Sequence, residues 1–199
     1  MKLSILIPTL NEPESIEYLR RLTRILDPEI EIANQYGAVV EKCIHDAGRS
    51  MPTGQKRNEL IHNSTGEYFS FIDCDDVVPG YYVREMLTAI DQNPDVVTFI
   101  GFMTTDGMHK RNFTIKLGES YEERDAHYYR YPNHLCCFKR SAVEHIKFQS
   151  IWVQEDYKWA TEIMKKKLLK TEVHIPRTMY HYDFKNRKRP HHRNTTTRL

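Results

Sequence analysis

The sequence lacks long hydrophobic runs and is poor in cysteine. No stretch approaches the roughly 18 consecutive apolar residues of a transmembrane helix. The apolar segment at residues 1–10 ends at Asn11 and Glu12 without a small-residue cleavage site, so it predicts a buried strand rather than a signal peptide. The four cysteines form no C-x-x-C pair and are too few for a disulfide scaffold. We therefore expect reduced thiols in a cytoplasmic chain without a transmembrane segment.

Glycine, proline and low-complexity sequence are also scarce. With 8 glycines and 9 prolines among 199 residues, the chain is neither collagen-like nor disordered through Pro/Gly richness. Apolar residues make up 40% of the chain and charged residues 28%, as in an ordinary globular protein. The length is close to the typical domain size of about 150 residues, and no internal repeat divides the chain. We predict a single domain over residues 1–190.

Acidic residues are scarce only at one end of the chain. From His181 onward the sequence has six Lys or Arg and one Asp, although the whole chain carries a formal net charge of +2. Clustered basic residues over 185–193 favour DNA or another phosphate-bearing partner. The alternative is a solvated, flexible tail, which we expect for residues 191–199.

Strand-like and helix-like patterns alternate through the first half of the chain. Short apolar segments predict strands over 2–8, 38–44, 68–72 and 96–103. The first helix should begin at Pro13 and end where Pro28 interrupts its pattern. This order of elements predicts an α/β fold with one mostly parallel central sheet and helices on both faces. The second half is less regular, and its clearest element is a helix over 155–167.

Polar side chains follow three of the predicted strands, at Thr9 to Glu12, at Asp46, and at Asp73 to Asp76. In a parallel sheet the carboxyl ends of the strands meet at one edge, where ligands bind. The three carboxylates of the last group repel one another, and a divalent cation would relieve that repulsion. Oxygen donors of this kind suit Mg²⁺ or Mn²⁺. The alternative is a set of caps for a helix that begins near Pro79.

Five segments, in their order and spacing, resemble family 2 of the glycosyltransferases, which have the Rossmann-like GT-A fold. They are SILIPTLNE at 4–12, GQKRN at 54–58, GEYFSFIDCDD at 66–76, Glu155–Asp156 with Trp159 close behind, and Tyr180–His181–Tyr182. The third segment contains the family's DxD motif. The resemblance covers almost the whole chain, and it implies a nucleotide-sugar-binding half over residues 1–103 and an acceptor and catalytic-base half over residues 104–190.

The resemblance implies a donor site at the strand ends. The residues that it places against the base, ribose or diphosphate are Pro8, Thr9, Glu12, Asp46, Lys56, Arg57 and Asp73. A carboxylate at Asp46 would accept a hydrogen bond from the imide N–H that cytosine lacks, so we expect a UDP-sugar. The sequence reads His45-Asp46-Ala47-Gly48 where the family usually has Asp-Asp-Gly-Ser, and this departure leaves the identity of the base open.

The resemblance also implies a site for Mn²⁺ or Mg²⁺. Asp75 would contact the metal directly, Asp73 would bind the ribose or a metal-bound water, and His181 would complete the metal shell. Cys74 would only fill space, because a thiolate is a poor ligand for either ion. A lone histidine is more often structural than a metal ligand, but the resemblance favours a ligand, so both interpretations of His181 stay open.

For catalysis, the resemblance implies that Asp156 of the Glu155–Asp156 pair takes the proton of the acceptor hydroxyl. The hydroxyl oxygen then attacks the anomeric carbon opposite the leaving group, which inverts the anomeric centre. His134 and Trp159 would border the acceptor. Alternatively, the two acids only complement a helix dipole, and Trp159 is a core aromatic.

The predicted function is a metal-dependent, inverting transfer of a sugar from a nucleotide-sugar to an acceptor hydroxyl. The acceptor stays open among a glycan, a lipid-linked sugar and a hydroxylated DNA base that the basic segment would help to bind. The alternative from another class is a non-catalytic nucleotide- or nucleic-acid-binding module on the same scaffold. The presence of acidic residues at both motifs argues against this alternative.

Overall fold

The structure of the chain, a computed structural model, describes residues 2–185. Within that range nine strands form one sheet, with helices between them along the chain. The strands are β1 (Lys2–Pro8), β2 (Val39–His45), β3 (Tyr68–Phe71), β4 (Val96–Thr105), β5 (Met108–Ile115), β6 (Glu122–Arg124), β7 (His127–Arg130), β8 (Cys137–Lys139) and β9 (Glu172–Phe184). The α-helices are α1 (Pro13–Gln35), α2 (Thr53–Asn63), α3 (Tyr82–Ile90), α4 (Arg140–Val143) and α5 (Glu155–Lys165), and a short 3-10 helix spans Gly48–Ser50.

The strand pairing confirms the predicted α/β fold. The strand order is β2-β1-β3-β8-β4-β5-β7-β6, and β9 also pairs with β4. β1 is parallel to β2 and β3, β4 is parallel to β9, and β5 is parallel to β7. β8 is antiparallel to both β3 and β4, and the β4–β5 and β6–β7 pairs are antiparallel. Most paired residues are therefore in parallel ladders, and the ends of β1, β2 and β3 lie at one edge of the sheet.

The core is centred on the parallel strands. Leu3, Ile5, Leu6 and Ile7 of β1 are fully buried, as is typical of a strand covered on both faces. Helix α2 packs against β1, and α1 packs against β2 and α3. The unbroken apolar run that predicted β1 is thus explained by its position inside the sheet. Among the described residues, no helix has both the length and the apolarity to cross a membrane.

Trp159 belongs to the aromatic part of the core. Its indole ring stacks on the Phe148 ring with 4.5 Å between the centroids, and its Nε1 donates a hydrogen bond to the carbonyl of Ile146 at 3.0 Å. Only 1% of the residue is exposed. This placement corrects the expectation that Trp159 borders the acceptor, because an enclosed ring offers no face to a ligand.

Helix α1 and strand β9 differ from the sequence-based expectation. Helix α1 continues through Pro28, because its apolar stripe continues: Leu22 and Leu26 are buried before the proline, and Ile30 packs against the core after it. No prediction was made for strand β9, which contains Pro176. The register of β9 against β4 shifts at that point, so the proline falls in an irregularity of the ladder, where its missing N–H is tolerated.

The basic end of the chain lies mostly outside the described residues. Lys185, the last described residue, forms an ion pair with Asp183 at 2.8 Å. The phosphate-binding segment predicted at 185–193 and the flexible tail predicted at 191–199 therefore stay predictions.

Candidate active site

Two adjoining cavities open at the edge of the sheet where β1 and β3 end. The first, the Thr9 cavity of about 580 Å³, has a lining that includes Pro8, Thr9, Leu10, Tyr18, Lys56 and Asp75. The second, the Tyr128 cavity of about 410 Å³, has a lining that includes Tyr121, Tyr128, Arg130, His134, Asp156 and Tyr182. The residues that line both cavities, which we call the shared wall, are Arg57, Asp73, Trp152, Val153 and Glu155.

The Thr9 cavity forms where the chain leaves the parallel strands. Thr9 follows β1 directly, and its N–H donates a hydrogen bond to the carbonyl of His45 at the end of β2, at 3.0 Å. Lys56 of α2 is 2% exposed, and its Nζ donates to the carbonyl oxygens of Thr9 at 2.9 Å and Gly48 at 2.5 Å. Burial lowers the pKa of Lys56. Lys56 therefore ties together the loops that follow β1 and β2.

Arg57 is the central cation of the shared wall. Its side chain is 3% exposed. Its Nη2 donates to Asp73 Oδ1 at 2.8 Å and Oδ2 at 3.1 Å, and its Nε lies 3.4 Å from Glu155 Oε1. The guanidinium carbon also lies 5.0 Å from the centroid of the Phe71 ring. A buried cation needs such partners because an unpaired charge in the interior is costly.

The two carboxylates beside Arg57 differ in their proton affinity. Burial alone would raise the pKa of Asp73, but the charges of Arg57 and His134 outweigh it and hold that pKa below its usual value. For Glu155, burial outweighs the attraction of Arg57, and its pKa is raised. Asp73 is thus the firmly ionised partner of the Arg57 guanidinium.

His134 lies between the two acids that the sequence assigned to different tasks. Its Nε2 is 3.5 Å from Asp73 Oδ2, and its Nδ1 is 3.3 Å from Asp156 Oδ2. Asp156 stands in the first turn of α5, and 36% of its side chain is exposed. The imidazole therefore lies between Asp73 of the shared wall and a carboxylate that faces the Tyr128 cavity.

The acidic segment after β3 divides into separate environments. Asp75 lines the Thr9 cavity, and its backbone carbonyl accepts a hydrogen bond from Arg21 at 2.6 Å. Asp76 is 1% exposed and accepts hydrogen bonds from the Tyr180 hydroxyl at 2.8 Å and from the N–H of Asp183 at 2.9 Å. Burial, together with the neighbouring carboxylates, raises the pKa of Asp76. Asp76 therefore attaches the acidic segment to β9 and does not line either cavity.

His181 makes its own contacts on β9. Its ring stacks on Phe102 with centroids 4.3 Å apart, and its Nε2 lies 2.8 Å from Thr104 Oγ1. Metal ligation through Nε2 would require that hydrogen bond to break. Within residues 2–185, no three His, Cys, Asp or Glu side chains are grouped to hold a metal ion. Asp73 and Asp75 suit Mg²⁺ or Mn²⁺ shared with a ligand, because Mg²⁺ usually binds through one or two carboxylates and substrate phosphates.

Two predicted donor residues lie at the margin of the Thr9 cavity. Glu12 forms an ion pair with Arg49, and Arg49 lines the cavity. Asp46 follows β2 and does not line the cavity, although its charge acts on Lys56. The structure therefore brings Pro8, Thr9, Lys56, Arg57 and Asp73 together but leaves Asp46 outside that group.

Sequence reasoning missed most of the Tyr128 cavity. Tyr121, Tyr128, Trp152 and Tyr182 line it with aromatic rings, and Arg130 lies among them. No local motif connects these residues, because they meet only after β5, β7, β9 and the loop before α5 have come together. The signals in the sequence were the number of tyrosines, 12 in 199 residues, and the Tyr180–His181–Tyr182 segment.

Among the solved structures with a similar fold are those of S. aureus TarS. For TarS 1–349 in complex with UDP, the identity is 16%, the TM-score is 0.63, and the match covers 92% of this chain and 60% of that one. For TarS 1–349 in complex with UDP-GlcNAc, the identity is 15%, the TM-score is 0.62, and the match covers 92% of this chain and 58% of that one. The chain thus spans about 60% of the length of those structures, and at this identity the likeness shows the fold.

The sequence itself matches a family model. No curated protein matches the chain. The model of glycosyl transferase family 2 matches residues 40–152, more than half of the chain. That range includes α2 with Lys56 and Arg57, the acidic segment after β3, and His134. The chain belongs to family 2 of the glycosyltransferases.

Proposed function

We propose that this chain is an inverting, metal-dependent glycosyltransferase that takes its sugar from a UDP-sugar. One observation carries the proposal: the two cavities share a wall that contains three charged residues, with Asp75 on one side of it and Asp156 on the other. Transfer between two substrates needs two binding sites that meet at the reacting atoms. The shared wall is such a meeting point.

The donor occupies the Thr9 cavity in this proposal. Strand-end backbone at Pro8 and Thr9 forms one side of the cavity, and the ionised carboxylate of Asp73 forms another. Loops at the carboxyl ends of parallel strands commonly bind nucleotides. The UDP and UDP-GlcNAc complexes of the S. aureus TarS structures support a uridine nucleotide, although Asp46 lies outside the cavity lining and is not needed for the proposal.

Asp75 and Asp73 would hold the Mg²⁺ or Mn²⁺ ion together with the donor diphosphate. When bound, the ion supplies positive charge that stabilises the departing nucleoside diphosphate. The fit rests on the donor set: both side chains offer hard oxygen atoms, and both line the Thr9 cavity. Arg57 holds Asp73 in place through its two hydrogen bonds to that carboxylate.

Asp156 acts as the catalytic base in the proposed reaction. Its carboxylate accepts the proton of an acceptor hydroxyl in the Tyr128 cavity, and the hydroxyl oxygen forms a bond to the anomeric carbon of the donor sugar. The bond from that carbon to the diphosphate breaks, and its electron pair leaves with the diphosphate. Glu155 instead positions Arg57, because its buried carboxylate is directed at Nε of that guanidinium.

A donor-binding experiment tests the proposal. We would titrate UDP-, GDP- and dTDP-sugars into the protein with Mn²⁺ and again with EDTA. The expected result is Mn²⁺-dependent binding of a UDP-sugar that Asp75→Ala abolishes. Asp91→Ala is the matched control, because Asp91 is exposed at the end of α3 and lines neither cavity. Binding that ignores both EDTA and Asp75→Ala would contradict the metal-dependent donor site.

A further inference from the structure

Arg130 presents a fixed guanidinium group to the Tyr128 cavity. It ends β7, and its guanidinium carbon lies 4.7 Å from the ring centroid of Tyr128 and 4.8 Å from that of Tyr121. Its Nη1 donates to the carbonyl oxygens of Tyr129 at 2.8 Å and Glu122 at 3.3 Å. Two rings and two carbonyls therefore hold the group in one place, and such preorganisation lowers the entropy cost of binding a ligand.

Arg130 differs from the other arginines around it in having no carboxylate partner. Arg111 pairs with Glu123, and Arg124 pairs with Glu119 and Glu122. On the shared wall, Arg57 pairs with Asp73 and Glu155. Within residues 2–185, no carboxylate lies within ion-pair distance of Arg130, and its Nε and Nη2 make no hydrogen bond. Its positive charge is therefore available to a ligand in the cavity.

The same cavity carries the opposite charge at the position of the proposed base. Asp156 lines it, and so do Asp73 and Glu155, whose charges Arg57 offsets in part. The Tyr121 ring lies between the two ends: it contacts Arg130 at 4.8 Å and the ring of Tyr157, the residue after Asp156, at 5.7 Å. An anionic group would be attracted to the Arg130 end and repelled from the Asp156 end.

Resting on the proposed function, we infer that the acceptor is a sugar with an anionic substituent, a carboxylate or a phosphate, which Arg130 binds. A guanidinium recognises both groups through paired, charge-assisted hydrogen bonds. The half-exposed rings of Trp152 and Tyr182 provide faces for the apolar side of a pyranose. With its anion at Arg130, the acceptor presents a hydroxyl toward Asp156, so the charge pattern selects the acceptor and sets its orientation.

Nucleic acid fits this cavity less well than an acidic sugar. The other described arginines near it are paired with carboxylates, so they form no continuous track for successive phosphates. A DNA strand would also bring several phosphates near the carboxylates of the cavity, whereas a single anionic sugar needs only the one site at Arg130. Binding of duplex DNA is therefore the rival outcome of the test.

The experiment compares acceptor binding in the presence of saturating UDP and Mn²⁺. The probes are methyl glucoside, methyl glucuronide and glucose 6-phosphate, and binding is followed by NMR titration of the protein. Charge-assisted hydrogen bonds predict a preference for an anionic probe over methyl glucoside of about 10-fold or more. The glucuronide and the phosphate separate the two sources of negative charge. Arg130→Gln should remove the preference, and Arg130→Lys should retain part of it.

Arg111→Gln is the matched control, because Arg111 contacts the same Tyr128 ring from 5.5 Å but pairs with Glu123 and does not line the cavity. It should leave the preference unchanged. Three outcomes would overturn the inference in a chain that still binds UDP. They are equal binding of all three probes, a preference that survives Arg130→Gln, and tight salt-dependent binding of duplex DNA with no sugar binding. If the unmodified chain does not bind UDP, the result would instead contradict the proposed function.

Discussion

The two cavities share one wall, yet the chain builds them in different ways. The Thr9 cavity is formed by loops that directly follow β1 and β3 and by the start of α2, and its cations Lys56 and Arg57 are tied to carbonyls or carboxylates. The Tyr128 cavity is assembled from β5, β7, β9 and the start of α5, and its own lining includes the rings of Phe113, Tyr121, Tyr128 and Tyr182. A site at strand ends can therefore be encoded locally, whereas its neighbour depends on the pairing of distant strands.

The residues proposed for catalysis and those proposed for acceptor recognition also lie in different places. The groups proposed to act on the donor and on the acceptor proton lie on or beside the shared wall, where Arg57 and His134 connect Asp73 to Glu155 and Asp156. The Tyr121 and Tyr128 rings and Arg130 line only the Tyr128 cavity. Substitutions in the two places should therefore have different consequences.

The largest expected loss of stability distinguishes Trp159, whose ring lies in the core, from Trp152, whose ring lines the cavities. Trp159→Ala should lower the free energy of unfolding by about 4 kcal/mol, because it removes a buried ring that stacks on Phe148. Trp152→Ala should change it by less than about 1 kcal/mol, since half of that residue is exposed, but it should weaken substrate binding. Urea unfolding and UDP titration measure the two properties. A large loss of stability in Trp152→Ala would show that this ring is structural.

Breaking the shared wall should damage both cavities. Arg57→Met leaves Asp73 and Glu155 without their buried partner, and we expect a loss of about 3 kcal/mol in the free energy of unfolding. Adding Asp73→Asn and Glu155→Gln to Arg57→Met should recover part of that loss. Arg49→Met is the control, because its side chain is 65% exposed and an exposed ion pair contributes about 1 kcal/mol or less. Equal losses in the two single variants, measured by urea unfolding, would argue against a buried network.

A polar cluster at the opposite end of β1 should stabilise the fold without affecting either cavity. Glu41 accepts hydrogen bonds from Ser4, Thr65 and the N–H of Gly66. Burial opposes ionisation of Glu41, but these bonds and Lys2 outweigh it and lower its pKa from 4.5 to about 2. Because the folded state holds the lower pKa, the stabilisation is complete above about pH 4.5 and is lost as the pH falls toward 2.

Glu41→Gln should therefore lower the free energy of unfolding by about 2 kcal/mol at neutral pH. The difference from the unmodified chain should shrink as the pH falls from about 4.5 toward 2, which urea unfolding at several pH values measures. Glu67→Gln, at an exposed position near the cluster, is the control. A difference that stays constant across this pH range would mean that the Glu41 charge is not what stabilises the fold.

The smallest expected effect on activity is that of replacing His134, which lies between Asp73 and Asp156. His134→Asn removes the imidazole that lies 3.3 Å from Asp156. Because an oriented base transfers protons faster, we expect kcat to fall about 10-fold while UDP affinity stays the same. His134→Gln should recover part of the rate if hydrogen bonding orients Asp156. The control is His62→Asn, at an exposed position on α2, which should leave kcat unchanged. An unchanged kcat, with UDP affinity reduced instead, would place His134 on the donor side.

Much of the first half of the fold was predictable from local patterns. β1, α2 and β3 follow directly from an apolar run or helical spacing, because each buries its own regular stripe. Pro28 misled the prediction of α1, since packing on both sides of the proline outweighs the lost hydrogen bond. β9 contains Pro176 and many polar residues, and only its pairing with β4 shows that it is a strand.

The candidate site was predictable as a group of residue types but not as a geometry. The sequence grouped Asp73, Asp75 and Asp76 because they are neighbours in one motif. Their separation into an Arg57 partner, a cavity residue and a buried acceptor for Tyr180 depends on contacts more than 100 residues apart in the case of Asp76. Long-range packing of this kind leaves no local signal, and the same reason hid the lining of the Tyr128 cavity.

The most direct test of a transferase with separate donor and acceptor sides is Asp156→Asn. The measurement pairs turnover of the UDP-sugar that the donor titration identifies with its affinity, both in Mn²⁺. Removing a general base predicts a loss of turnover of about 100-fold or more, while the affinity for that UDP-sugar should stay within about 2-fold, because Asp156 lines only the Tyr128 cavity. Turnover that survives Asp156→Asn, or an unmodified chain that binds the donor and never turns it over, would contradict this account.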